Sequence, residues 1–220
     1  MQLDPVPPMD DPLDPQALTV MAERIARVAG VAGVMLGGSR ARGAHAPGSD
    51  VDLGLYLDGR LDVEGLRSLA SEVSGAAVDV TVRGGWGPWV DGGGWLVIDG
   101  VHVDWIYRDL ARVDRVWEGA LDGRFGLHAQ AGHPFGFLDV SYCAELALGV
   151  VLADPAGALS SRQERMRAMP AALGAALTAL VWEATFTVEN ARKGASRGDA
   201  VHVLQCLSPW IAPGPRTRRG

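Results

Sequence analysis

The segment Asp50-Val51-Asp52-Leu53-Gly54-Leu55 places the tightest constraint on this chain. Apolar residues alternate with Asp and Gly at the period of a β-strand, so Val51, Leu53 and Leu55 share one face while Asp50 and Asp52 project from the other. Two carboxylates that close repel each other, and a metal ion is the usual reason for tolerating them. Upstream, residues 31–36 read as a short buried strand that stops at the pair Gly37-Gly38, a turn signal.

The rest of the chain supplies a frame for that strand. Asp14 and Pro15 start a helix, with Pro at the first helical position where its missing N–H costs nothing. Leu18, Met21, Ile25 and Val28 recur at helical spacing, and Gly30 ends the run. Residues 61–73 predict a crossover helix through Leu66, Leu69 and Val73, and residues 77–82 an alternating strand. A hairpin is expected over 95–98 and 101–107, because Asp99-Gly100 suits a tight two-residue turn. Between them, residues 83–94 form a Gly/Trp-rich loop with Trp86 and Trp89. From Leu110 onward the pattern is helical: residues 110–121, 141–152, 160–169, 171–195 and 198–207. Strands first and helices second predict an α+β chain, a mixed β-sheet flanked by helices and followed by an α-helical C-terminal region. The expected division is a leader over 1–14, a core over 15–122, a helical domain over 123–207 and an irregular tail over 208–220. The break falls in the Gly/His/Pro-rich stretch 123–136.

Composition excludes some partners. A formal net charge of −6 leaves no broad positive field to hold a long nucleic acid by its phosphates. The Asp/Pro-rich start lacks the basic and apolar segments of a secretory signal, which predicts a cytoplasmic protein. Gly, Pro and charges are expected to interrupt every apolar run before the roughly 20 residues that cross a bilayer, so no membrane partner is expected. Cys143 and Cys206 sit in apolar, helix-like contexts without metal-type spacing and are expected to be buried free thiols.

Moving a nucleotidyl group requires neutralising a polyphosphate and activating an acceptor oxygen, which carboxylate-held divalent ions can do. Backbone amides must also approach phosphate oxygens where side chains do not obstruct, and Gly37 and Gly38 meet that need. Ser39 adds a hydroxyl donor, and Arg40 and Arg42 are nearby cations able to pair with a phosphate. The string Gly37-Gly38-Ser39-Arg40-Ala41-Arg42-Gly43, followed by Ser49-Asp50-Val51-Asp52-Leu53, resembles the signature of the polymerase-beta-like nucleotidyltransferase superfamily. The resemblance implies a nucleotide-binding core with Mg²⁺ held by Asp50, Asp52 and a third carboxylate, two ions being expected and Mn²⁺ an alternative. Asp79 and Asp104 compete for the third place, and periodicity does not separate them. The segment around Asp104 is similar to a strand of the aminoglycoside-nucleotidyltransferase-like sub-group, which favours Asp104.

The implied activity is metal-dependent transfer of a nucleoside monophosphate from a triphosphate, ATP favoured, to a hydroxyl of a small-molecule acceptor, with pyrophosphate release and Asp104 helping to take the proton. The alternative is a non-catalytic or protein-modifying, antitoxin-like partner of the same fold. Nucleotide addition to RNA would need a basic groove that the acidic balance does not offer. On the acceptor side Glu145, Glu183 and Glu189 are candidates, and His133 is unassigned. Trp86, Trp89 and Trp95 are expected to cap the core rather than to stack a base. Pro209, Pro213, Pro215 and the basic end Arg216, Arg218 and Arg219 make a poor helix. Against relatives that continue with further helices, the chain reads as shortened, with an incomplete acceptor pocket and an exposed helical face that favours self-association.

Overall fold

The computed structural model describes residues 13–46 and 48–207. The expectations for the leader through residue 12 and for the tail from residue 208 lie outside the described residues.

Helix α1 (Pro15–Ile25) begins where Asp14 accepts the Ala17 amide at 2.7 Å, and it buries Leu18, Met21, Ala22 and Ile25. Strand β1 (Val31–Leu36) leads into the single turn α2 (Gly38–Ala41) and then β2 (Val51–Leu57). Helix α3 (Val63–Ser74) is capped by Asp62 and ends at Gly75, which takes the left-handed conformation common at helix ends. The hairpin β3 (Gly93–Ile98) and β4 (Val101–Asp109) turns at Asp99 and Gly100, both at positive φ, as the Asp-Gly pair predicts.

Helix α4 (Leu110–Leu121) has the expected bounds. After it come the hairpin β5 (Leu127–Gln130) and β6 (His133–Leu138), then α5 (Ser141–Leu148) and β7 (Val150–Ala153). The chain continues as α6 (Ala158–Met166), α7 (Ala171–Thr178), α8 (Val181–Ala195) and α9 (Ala200–Leu207).

Five strands form one mixed sheet in the order β3-β4-β2-β1-β7, with β2 and β4 parallel and the other pairs antiparallel. Each face has its own core. On one, α1 and α3 cover Val51, Leu53, Leu55, Val103, Trp105 and Tyr107. On the other, α4, α5 and α6 pack Leu110, Val113, Leu146 and Leu159 against Met35 and Tyr56, with Ile106 partly buried beside them. The even-numbered residues of β2 and β4 therefore face the helices that follow the sheet, and the odd-numbered ones face α1 and α3.

Several expectations change at this level. Residues 77–82 form no regular strand; Val80 makes a single bridge to Gly94. The helix expected over 141–152 stops at Leu148, and the apolar run beyond it becomes β7, which pairs with the free edge of β1. The stretch 123–136 holds most of the β5–β6 hairpin. Cys143 is buried, and burial pushes its thiol up to about 12, whereas Cys206 is only half-buried, 3.4 Å from His202 Nε2. The expectation that no run approaches bilayer-spanning length also fails. Residues Ala171–Ala195 are long and apolar enough by length and composition alone, because Glu183 is the sole charge between Ala171 and Val188. That run is hardly buried, and Trp182, Phe186, Val201 and Leu204 of α8 and α9 are exposed.

Helix α6 is held at its start by Asp154, which accepts the Leu159 amide at 3.1 Å and the Ser160 amide and hydroxyl at 2.8 Å each. Burial pushes this carboxyl up, but the hydrogen bonds from Ser160 and Leu159 outweigh it and hold the group below its ordinary 3.8. Its stabilisation is complete above that value and is lost as pH falls through the lowered one. Asp154→Ala is expected to cost about 1 kcal/mol at neutral pH, a deficit against wild type that shrinks in acid; urea titrations at several pH values check both.

Candidate active site

The parallel register of β2 and β4 sets Asp52 beside Asp104, on strands about 4.8 Å apart. Both side chains lie on the face away from α1 and α3, half-buried at the margin where the second core ends, and Asp50 is exposed just before β2. Burial raises the affinity of Asp52 for a proton, and the Asp50 and Glu145 carboxylates add to it while Arg108 opposes. For Asp104 burial again comes first, then the charges of Asp52 and Asp50, against His102. The three aspartates thus act on one another through space. Asp79 does not join them; its carboxylate is exposed and bonded to Arg67 Nε at 3.0 Å, beside α3.

The glycine turn closes the other flank. The Gly37 amide donates to the Asp52 carbonyl at 2.8 Å, which continues the β1–β2 pairing past the strand end. Gly38 has φ of 63°, and a Cβ there would land on Asp52 Oδ2. Glycine is needed at 38 for backbone conformation and for space at once. The first amides of α2 have no intrahelical acceptor and open beside the aspartates with Ser39. Arg40 donates from Nη2 and Nε to the Ser49 carbonyl at 2.7 and 3.2 Å and from Nε to the Asp50 carbonyl at 3.1 Å, so it fastens the loop that delivers Asp50. Arg42, at the end of α2, is exposed.

Deeper on the same face, Tyr56 and Arg108 form the next even-numbered row but one. Buried Arg108 makes a two-pronged pair with Glu145 of α5, Nε to Oε2 at 2.6 Å and Nη2 to Oε1 at 2.8 Å, with its guanidinium 5.4 Å from the centre of the Tyr142 ring. Sequence reasoning missed Arg108, although its parity with Asp104 on β4 placed it on this face. Glu183 and Glu189 are carried by α8, Glu189 within 3.7 Å of Arg192. His133 meets Phe137 edge-on in the β5–β6 hairpin.

The expectation for the tryptophans divides. Trp86 and Trp89 pack partly against the second core, but Trp95 is 68% exposed and stacks on Trp86 with centroids 4.4 Å apart.

Among the described residues, no three acidic, His or Cys side chains already form a metal cluster. A hard ion of the Mg²⁺ class is usually held by one or two carboxylates together with waters and phosphate oxygens, so adjacent Asp52 and Asp104, with Asp50 in charge range, suit it as a donor set. A five-stranded mixed sheet with helices on both faces, a Gly-Gly turn and an acidic strand beside it fits a nucleotidyltransferase core of the polymerase-beta-like class. Residues 18–88 match the model of the nucleotidyltransferase domain family. The matched segment takes in Gly37, Gly38, Ser39, Asp50 and Asp52 and ends before Asp104. No curated protein matches the chain.

Without a divalent ion, the raised proton affinity of Asp52 makes its ionised form destabilising. The folded state holds the proton more tightly than the unfolded chain, so stability falls as pH rises from the ordinary 3.8 through the raised value. In chelator, Asp52→Asn is expected to melt higher than wild type at neutral pH, with no gain below about pH 3.8. Thermal melts across pH check this, and a variant that melts lower at neutral pH would contradict the assigned repulsion.

Proposed function

We propose that this protein transfers a nucleoside monophosphate from a nucleoside triphosphate, ATP favoured, to a hydroxyl of a small-molecule acceptor and releases pyrophosphate. The observation that carries the reading is the adjacency of Asp52 and Asp104 across β2 and β4, with Gly38 closed onto the Asp52 carboxylate. Asp50, Asp52 and Asp104 would hold Mg²⁺, with Mn²⁺ able to substitute. When bound, the ions supply charge neutralisation at the reacting phosphate and its leaving group.

The chain's own residues do the rest. Gly37, its own amide engaged by the Asp52 carbonyl, keeps the turn clear of side chains, the amides of Gly38 and Ser39 receive the outer phosphates, and Arg42 adds a cation. Arg40 keeps Asp50 in place through the Ser49 and Asp50 carbonyls. The acceptor oxygen attacks the α-phosphorus and the bond to the bridging oxygen breaks. The hydroxyl proton passes to the Asp104 carboxylate.

Pyrophosphate release is measured with each triphosphate and a library of hydroxyl-bearing compounds, with Mg²⁺ and with chelator. Asp50→Asn is expected to lower turnover by about a thousandfold or more while leaving the melt two-state. Unchanged turnover in that variant would remove the scheme.

Self-association belongs to the same reading. Helices α8 and α9 pack chiefly on each other and leave Trp182, Phe186, Val201 and Leu204 to solvent. Along α8 the acids Glu183 and Glu189 precede the basic Arg192 and Lys193, a polarity that suits a second α8 laid antiparallel about a twofold axis. Light scattering is expected to give at least a dimer mass at micromolar concentration, reduced to the monomer by Phe186→Asp; a monomer in the wild type would exclude this interface.

A further inference from the structure

The Trp86–Trp95 pair has no place in the chemistry so far, yet it stands on the catalytic face. In the β3–β4 register Trp95 is opposite Asp104, as Asp104 is opposite Asp52 across β4 and β2. Directly opposed residues share a face, so Trp95, Asp104 and Asp52 form one row across the sheet. The flanking pattern agrees, since Leu96 and Ile98 are buried in the core under α1 and α3 while Trp95 is turned away from it.

The platform is built rather than incidental. Trp86 lies over Gly93, where a Cβ would come within 2.9 Å of its Cη2. Buried Gln130 from β5 holds the Trp86 loop, donating from Nε2 to the Trp86 carbonyl at 2.7 Å and accepting the Trp89 and Val90 amides at 2.9 and 3.0 Å. Gly87 leaves room for that amide, for a Cβ there would be 2.8 Å from Gln130 Oε1. An indole fixed from behind and left 68% exposed in front loses little freedom on taking a ligand.

Its place in the row assigns the occupant. Reading across the sheet, the order is Trp95, Asp104, Asp52 and then the Gly37-Gly38 turn at the end of β1. In an in-line displacement the attacking and leaving oxygens lie on opposite sides of the phosphorus. With the leaving pyrophosphate at the glycine turn, the acceptor enters from the Trp95 side. We infer that Trp95, backed by Trp86, is the specificity platform for the acceptor, a ring compound that lays a flat apolar face on the indole and turns a hydroxyl toward Asp104. The assignment of sides rests on the transfer reading above.

The test uses the full chain, titrated with an aminocyclitol, a hexopyranoside, a nucleoside and a phenol, with and without Mg²⁺-ATP, reading intrinsic tryptophan fluorescence. At least one of these is expected to quench saturably. Trp95→Ala is expected to weaken that binding about tenfold or more, the scale of one lost stacking contact, and Trp95→Phe to restore part of it. Mg²⁺-ATP affinity is expected to stay within about twofold in both variants, so that a binding compound that also turns over shows a raised acceptor KM against a steadier kcat. The proposal is overturned if none of the four compounds saturates, if Trp95→Ala leaves their binding unchanged, or if it weakens Mg²⁺-ATP instead, which would make the indole a base platform. Trp95-dependent quenching in a protein that releases no pyrophosphate would retain the platform and remove the transfer reading. Asp50→Asn is expected to lose pyrophosphate release and keep the quenching.

Discussion

The parallel pairing of β2 with β4 is the constraint on which the rest of the structure depends. It fixes two like charges, Asp52 and Asp104, side by side on a rigid support, where water alone would drive flexible side chains apart. The pairing is held from below, because Val51, Leu53 and Leu55 of one strand and Val103, Trp105 and Tyr107 of the other are sealed under α1 and α3. Burial of the odd-numbered residues thus offsets the repulsion among the even-numbered ones. A slip of one residue would exchange the two sets and bury the aspartates.

Around this pair the site is assembled from parts with separate supports. Gly38 admits the Asp52 carboxylate, Arg40 draws in the loop that ends at Asp50, and Gln130 reaches from the β5–β6 hairpin to hold the Trp86 loop. The Arg108–Glu145 pair joins β4 to α5 beneath the open end of the sheet and biases the charge of Asp52 from inside. The face is acidic and open, walled by glycine on one flank and indole on the other.

Legibility followed the range of the interactions. Asp50, Asp52, Gly37 and Gly38 were readable because strand alternation and turn chemistry are local. The choice between Asp79 and Asp104 was not, since it turns on register between strands separated by a helix and a loop. Trp95 was misread for a related reason: an aromatic residue within a strand carries no mark of which face will be covered. Val150 to Ala153 continued an apolar helical pattern, and only the unsatisfied edge of β1 made it a strand. The expectation that Gly, Pro and charges interrupt every apolar run fails over α7 and α8, where a single charge, Glu183, lies between Ala171 and Val188 and a helix tolerates it.

That late strand has a consequence for synthesis on the ribosome. The edge of β1 stays unsatisfied while α2 through α5 emerge, and it is closed only when β7 arrives. A nascent chain stopped after β4 would expose backbone donors and acceptors along an apolar strand, the kind of template that recruits other chains. Premature termination there should yield insoluble product, and the sheet-bearing half should not be separable as a well-behaved fragment unless β7 travels with it.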